Sequence, residues 1–147
     1  MTITLELILE CPRDEVWRAF DSTENLHKWM KSLKSFEHLS GEPGQPGARS
    51  KVIFEENGRI IENIETITVR NKPGEFVGTY DNDYGQNLIT QRFEVLGDSR
   101  TRWTGVTEMR LKGFMKIMAW LMKGMIRKKI LKDMNCFKEK LEAGELN

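Results

Sequence analysis

The hydrophobic period of this chain changes from strand-like to helical near residue 112, and that change limits the folds available to it. From 48 to 111 no helical pattern occurs, and short segments are separated by turn signals such as Asn57-Gly58 and Gly97-Asp98. From about 113 to 143 there is no proline, and apolar residues recur every three or four positions. This second region predicts one helix of about 30 residues, roughly 45 Å long.

The region before residue 48 predicts a strand, two short helices and a second strand. Residues 2–10 alternate between apolar and polar, as in a half-buried strand. Pro12 suits the start of a helix, where its missing N–H would be unpaired anyway. Two apolar sets at helical spacing follow: Val16, Trp17 and Phe20, then Leu26, Trp29 and Met30. A strand is expected over 33–39, and the glycines and prolines of 40–47 predict a loop.

Five more strands are predicted, at 51–55, 59–69, 75–80, 86–96 and 102–111. Their short connections imply antiparallel pairing. A sheet of six or seven strands has one face to bury and only one long helix to bury it against. The chain of 147 residues is therefore predicted to be a single α+β domain over 1–147, a strongly curved sheet wrapped around the C-terminal helix.

The charge balance and the cysteine content limit the classes of partner and the cellular compartment that we expect. The chain has 23 basic and 22 acidic side chains, so its net charge of +1 creates no global field that would attract nucleic acid or an anionic membrane. Cys11 and Cys136 lie far apart and lack metal-ligand spacing, which indicates two reduced thiols in a cytoplasmic protein. The N-terminus has neither the basic start nor the continuous apolar run of a signal peptide.

Two segments carry a resemblance to a known family. They are Cys11-Pro12-Arg13-Asp14-Glu15-Val16-Trp17-Arg18-Ala19-Phe20 and Asn25-Leu26-His27-Lys28-Trp29-Met30. The loop leading to Gly47 and the segments 101–104 and 112–115 fit as well. On these residues the chain resembles the START-like (SRPBCC) superfamily, in its polyketide cyclase/dehydrase and lipid-transport branch, over essentially its whole length.

The resemblance implies a helix-grip fold with a hydrophobic cavity between the bent sheet and the long helix. Members of the superfamily include carriers of lipids and other apolar molecules, a few aromatase/cyclases, and a branch that activates a chaperone ATPase. The superfamily shares a cavity rather than a catalytic motif, so the resemblance supports the fold more strongly than any one activity.

No catalytic or metal motif stands out. The two histidines, His27 and His38, lack metal-ligand spacing and are expected to be solvent-facing or structural. There is no Gly-x-Ser-x-Gly and no phosphate-binding glycine loop. The sequence therefore predicts no catalytic residue, no metal and no cofactor.

A set of mostly apolar side chains falls in elements that should surround the central space. Core packing would need such residues individually, but as a set they fit an apolar cavity with few polar groups. The predicted cavity residues are Trp29, Phe54, Phe76, Tyr80, Asn87, Gln91, Phe93, Trp103, Met109, Phe114, Met118 and Met122.

Two amides in this set lead to a more specific hypothesis about the ligand. Asn87 and Gln91 share a strand face with Phe93, so if Phe93 points inward both amides do too. A buried amide without a partner is unfavourable, and inward amides would therefore suggest a polar group on the ligand or trapped water.

The methionine-rich stretch Gly113–Lys129 raises a separate question. Lys116 and Lys123 interrupt its apolar run, so it is too short to span a membrane. One stripe, Met115, Ala119, Met122 and Ile126, continues into the later helix, and a second consists of Phe114, Met118, Leu121 and Met125. The second stripe requires a cavity wall, a partner or a membrane surface. Because methionine adapts to variable shapes, the preferred interpretation is the wall and entrance of a pocket.

Basic residues could also suggest a phospholipid headgroup site, although a solvated helix face is the favoured interpretation. They are Arg13, Arg18, Arg127, Lys128 and Lys129.

Three functions remain open at this point. The preferred one is non-catalytic binding or carriage of a small hydrophobic molecule, with transient membrane contact possible. The second is an aromatase/cyclase-type enzyme that polarises a carbonyl with Tyr80, Tyr84, Arg92 or a bound water. The third is a protein-interaction module of the chaperone-activator type, which an exposed apolar patch would favour.

Overall fold

The computed structural model describes all residues from 1 to 147 and contains seven strands and four α-helices. The strands are β1 Thr2–Leu9, β2 Leu33–Ser40, β3 Arg49–Glu56, β4 Arg59–Asn71, β5 Glu75–Asn82, β6 Gly85–Val95 and β7 Thr101–Leu111. The helices are α1 Arg13–Asp21, α2 Leu26–Trp29, α3 Phe114–Leu121 and α4 Lys123–Glu142, with a short 3-10 turn at Thr23–Asn25.

All seven strands form one curled antiparallel sheet in the order β1-β7-β6-β5-β4-β3-β2. The chain's first strand pairs with its last, so β1 and β2 are the two edges. Asn57 and Gly58 both have positive φ in the β3–β4 turn, as the hairpin signal requires. The predicted α+β class, the curved antiparallel sheet and the two short helices after β1 are confirmed.

The predicted single C-terminal helix is divided at Met122. Its φ of −97° and ψ of 10° end α3 and begin α4. The backbone bonds on both sides survive, from the Met122 N–H to the Met118 carbonyl and from the Ile126 N–H to the Met122 carbonyl. The helices pack on different elements, α3 on β7 and α4 on β1 and α2. A straight helix cannot follow both, and Gly124 weakens the helical preference beside the break.

The core is a cluster of aromatic rings between the inner face of the sheet and the helices. Phe20 of α1 lies 5.2 Å from Phe93 and 6.3 Å from both Trp103 and Phe137, measured between ring centroids. Phe137 of α4 also lies 5.1 Å from Trp103. These contacts join α1, α4, β6 and β7 in one packed unit.

The last residues of the chain are tied to this unit through a buried amide. The Asn25 side chain is fully buried, and its Nδ2 donates to the carbonyls of Ala19 at 2.9 Å and Asn147 at 3.0 Å. The backbone N–H of Asn147 donates back to Asn25 Oδ1 at 3.0 Å. Sequence patterns did not indicate this contact, because its partners are 122 residues apart.

Phe137→Ala should destabilise the domain severely. It removes a ring with no exposed surface from the center of the aromatic cluster, and such truncations cost about 3–5 kcal/mol. Urea unfolding followed by circular dichroism would measure the loss. Phe114→Ala, at a side chain 70% exposed, should change the free energy of unfolding by less than about 0.5 kcal/mol. Equal losses for the two variants would contradict the placement of Phe137.

Candidate functional site

A row of side chains crosses the inner face of the sheet from β4 to β7. In the strand register Glu65 pairs with Tyr80, Tyr80 with Asn87, and Asn87 with Met109. Directly paired residues in antiparallel strands project from the same face. Phe93 and Trp103 share that face at alternate positions and are buried in the core, which identifies it as the inner one. With neighbouring strands about 4.8 Å apart, the row is roughly 14 Å long.

Glu65 and Tyr80 form a hydrogen-bonded pair of titratable groups. The Tyr80 hydroxyl donates to Glu65 Oε2 at 2.6 Å, and Glu65 is only 8% exposed. Burial raises the pKa of Glu65 above its ordinary value, and the bond from Tyr80 opposes that rise in part. Burial and the nearby carboxylate raise the pKa of Tyr80 well above its usual range. The tyrosine proton therefore stays on the hydroxyl, and the carboxyl takes up a proton more readily than an exposed glutamate.

The two predicted inward amides differ in their surroundings. Gln91 Oε1 accepts a hydrogen bond from the Trp103 indole at 2.7 Å, so a protein group accounts for its inward direction. Asn87 Oδ1 is buried and has no hydrogen-bond partner in the chain. A buried acceptor without a partner is uncommon and is stabilised by any donor that reaches it. Asn87 thus places a buried acceptor without a partner beside Tyr80 in the row.

A second amide pair flanks this row. Asn82 Nδ2 donates to Asn63 Oδ1 at 2.8 Å, and Asn63 is buried. The inner face of β4 and β5 is consequently polar around Asn63 and Glu65, where the sequence analysis expected a mostly apolar lining. The polar side chains are largely satisfied by one another, which is how a sheet can bury them.

An open groove of about 540 Å³ lies between α3 and the ends of β1 and β7. Its lining is mainly apolar and consists of Met1, Thr2, Met109, Leu111, Lys116, Ile117, Ala119, Trp120 and Lys123. Met109 belongs both to the groove and to the row, where it is paired with Asn87. The groove therefore meets the row at Met109, and Asn87 itself is not among the lining residues.

The remaining predicted cavity residues fall in three places. Trp29, Phe93 and Trp103 are at most 3% exposed and pack on one another in the aromatic core. Phe76 packs at the edge of that core, and Phe54 is half-buried on β3, paired with Ile61. The others, Phe114, Met118 and Met122, belong to α3 and its end.

The sequence analysis expected the second stripe of the methionine-rich stretch to form a cavity wall, and for most of that stripe this expectation is wrong. Phe114, Leu121 and Met125 are 70%, 65% and 63% exposed, and Met118 is half-buried. Ala119, on the other stripe, is buried and takes the side facing the protein. Because α3 is apolar on nearly all sides, contact with the sheet can cover only one of them. Met122, at 38% exposed, lies at the break between the helices.

Sequence reasoning missed Glu65 and Asn63. Strand β4 carries isoleucines at 60, 61, 64 and 67, on both of its faces, so alternation alone does not show which side is inward. The signal that could have found them is pairing across the turn after β4, which aligns Glu65 with the predicted inward residue Tyr80.

Other titratable candidates lie away from the row. His27 and His38 are exposed, as expected. Arg92 is exposed and pairs with Glu75 at 3.1 Å, and Tyr84 is 38% exposed, so neither belongs to the inner face as the enzyme hypothesis required. Burial, together with a hydrogen bond to Glu15, raises the pKa of Cys11 to about 11. No cluster of three or more His, Cys, Asp or Glu side chains is arranged to hold a metal ion.

Residues 1–135 match the family described as polyketide cyclase/dehydrase and lipid transport. The chain belongs to this family. No curated protein matches the chain by sequence. None of its helices is long and apolar enough to cross a membrane.

Solved structures of several other proteins share the fold at low sequence identity. A protein from Thermus thermophilus is 17% identical with a TM-score of 0.81, over 98% of this chain and 99% of that one. The Zhui aromatase/cyclase from a Streptomyces species is 12% identical with a TM-score of 0.79, over 97% and 93%. A norcoclaurine synthase from a Thalictrum species is 14% identical with a TM-score of 0.74, over 99% and 96%. At these identities the likeness establishes the fold alone.

Glu65→Gln should alter how stability depends on pH. The pKa of Glu65 is raised in the folded state, so the unmodified chain is favoured below the ordinary pKa of 4.5 and loses stability as pH rises through the folded pKa. Glutamine keeps an acceptor for Tyr80 but never ionises. The melting temperature of the Glu65→Gln variant, relative to that of the unmodified chain, should therefore increase from about pH 4 to about pH 8.

Glu62→Gln is the matched control, because Glu62 is an exposed glutamate on the same strand. Its melting-temperature difference should stay nearly constant over the same pH range. A constant difference for Glu65→Gln as well would contradict the buried state of Glu65.

Proposed function

We propose that this chain binds a small, mostly apolar molecule that carries one hydrogen-bond donor. The groove under α3 takes the apolar body, and Asn87 Oδ1 accepts the hydrogen bond. The observation that carries the proposal is the buried acceptor of Asn87 without a partner, next to the groove-lining residue Met109. An apolar cleft with a few placed polar groups is the usual form of a small-molecule site.

Affinity comes mainly from removing the apolar surface of the ligand from water, at about 25 cal/mol per Å². The hydrogen bond to Asn87 contributes a further 0.5–1.5 kcal/mol or so and selects donors over acceptors. Family membership supports this function in its coarse form, since the family description covers lipid transport as well as cyclases. Carriage follows when such binding is reversible and the groove is open, as it is here.

A pair of probes that differ in one donor tests the proposal. 2-Naphthol has a hydroxyl that can donate, whereas 2-methoxynaphthalene has nearly the same apolar body and no donor. Isothermal titration calorimetry should show 2-naphthol binding about two- to tenfold more tightly. Asn87→Leu should remove this preference while leaving the binding of 2-methoxynaphthalene nearly unchanged.

Gln86→Leu serves as the control, since Gln86 is the neighbouring amide on β6 and belongs to its opposite face. It should retain the preference for 2-naphthol. An Asn87→Leu variant that keeps the preference would refute the role of Asn87, and absence of binding by both probes would refute the groove as a site for molecules of this size.

A second candidate function, catalysis of proton transfer next to a carbonyl, is favoured by one observation. Glu65 and Tyr80 are two convergent titratable groups on the inner face, and a carboxylate with a raised pKa is a stronger base than an exposed glutamate. Glu65 would take a proton from the carbon beside the carbonyl, and the Tyr80 hydroxyl would release Glu65 Oε2 and donate its hydrogen bond to the developing oxyanion instead. Two of the similar structures are enzymes by name, which is compatible with either function.

Deuterium exchange separates catalysis from binding alone. 1-(2-Naphthyl)propan-2-one in heavy water should exchange its acidic CH₂ hydrogens faster with the chain than in buffer if Glu65 acts as the base. Proton NMR follows the exchange. Glu65→Gln should return the rate to that of buffer, a loss of about 100-fold or more of the protein-dependent rate. Exchange no faster than buffer with the unmodified chain would leave binding as the function and exclude this one.

A further inference from the structure

The outward side of α3 and the start of α4 expose a continuous group of large apolar side chains. We call it the α3 outer face, and it consists of Phe114, Ile117, Trp120, Leu121 and Met125. Each of these side chains is between 57% and 70% exposed. Scattered exposed apolar residues are ordinary, but five within twelve positions of one helical segment mark a contact surface.

The charged residues within the segment that forms this face all have one sign. From Lys112 to Lys129 the chain has six basic residues and no acidic residue, although its overall net charge is only +1. Lys129 is occupied by ion pairs with Glu56 and Asp133. Four of the others are exposed and form no ion pair within the chain: Lys112, Lys116, Lys123 and Lys128. The remaining one, Arg127, donates to the Thr4 carbonyl and keeps its charge.

We propose that the α3 outer face docks on the surface of an anionic lipid membrane. A short helix with large apolar side chains outward and lysines beside them has the composition of a segment that lies in the membrane interface. Trp120 would sit at headgroup depth, where the indole ring is favoured, and the four unpaired lysines would lie against the lipid phosphates.

Charge decides between a membrane and a second copy of the chain. In a two-fold dimer the same face meets itself, so the lysines of one copy would lie opposite those of the other. Like charges brought together in this way oppose association. An anionic lipid surface instead complements the lysines while it covers the apolar side chains. A second copy of the chain would cover the apolar side chains but would not complement the lysines.

Docking in this orientation would bring the groove to the membrane. Ile117 and Trp120 belong to both the α3 outer face and the groove lining. An apolar ligand could then pass between bilayer and groove with little exposure to water. The docking proposal does not depend on the role of Asn87, because none of its evidence comes from the sheet.

The tryptophans provide a built-in probe of docking. Trp120 is 70% exposed, whereas Trp17, Trp29 and Trp103 are at most 3% exposed. Vesicles of phosphatidylcholine with phosphatidylglycerol should blue-shift the emission of the chain, and brominated acyl chains should quench the Trp120 part of it. Vesicles of phosphatidylcholine alone should bind about tenfold or more weakly, and about 1 M salt should release the chain from the anionic ones.

Two variants separate the apolar and charged contributions. Ile117→Ser with Leu121→Ser should reduce binding to the anionic vesicles about tenfold or more. Lys116→Gln with Lys123→Gln should weaken it similarly and reduce its dependence on salt. Ile60→Ser and Lys31→Gln are the controls, since both residues are exposed outside α3, and each should bind as the unmodified chain does.

Three results would overturn the proposal. The first is emission and sedimentation that anionic vesicles leave unchanged. The second is vesicle binding that both double variants, Ile117→Ser with Leu121→Ser and Lys116→Gln with Lys123→Gln, retain as fully as the two controls do. The third is a concentration-dependent dimer in analytical ultracentrifugation that Ile117→Ser with Leu121→Ser dissociates, because it would assign the face to a second copy. Circular dichroism should show the variants folded, as expected for changes at exposed positions.

Discussion

The contact of Phe137 with the rings of Trp103 and Trp29 is the interaction on which the rest of the structure depends. It attaches the long helix α4 to the sheet and to α2 at the same point, with centroid separations of 5.1 and 5.2 Å. The Asn25 contact then holds the end of the chain against the same helices. Beside Trp103, Gly105 leaves room for the Gln91 side chain, since a Cβ there would lie only 3.2 Å from Gln91 Oε1. Aromatic contacts therefore fix α4 to β7 and α2.

Away from that dense region, the inner face of the sheet carries polar groups. The aromatic cluster covers the part of the sheet around Phe93 and Trp103, and the row from Glu65 to Asn87 lies beyond it. Tyr80 and Glu65 satisfy each other, so the pair can be buried at a modest penalty. Asn87 has no such partner. This difference between neighbours is the reason why the ligand we propose carries one hydrogen-bond donor.

The break at Met122 links the fold to the two proposals. By ending α3, it allows that helix to follow β7 while α4 follows β1. The same arrangement leaves a groove beside α3 and turns Phe114, Ile117 and Leu121 outward. A continuous helix would have a single axis, so it could not follow β7 and β1 at once, and it would not leave the same groove at the strand ends. The exposed apolar face and the groove thus have a common structural origin.

The sequence by itself determined the order and type of the elements, the hairpin at Asn57-Gly58, the antiparallel sheet and the family resemblance, because hydrophobic period and turn chemistry act over a few residues. It also placed Tyr80, Asn87 and Met109 among the candidate residues. Only the tertiary structure decided that Glu65 joins Tyr80, that Gln91 is satisfied by Trp103 while Asn87 is not, and that α3 stops at Met122. Those outcomes depend on strand register and sheet curvature, which bring together residues that local patterns do not relate.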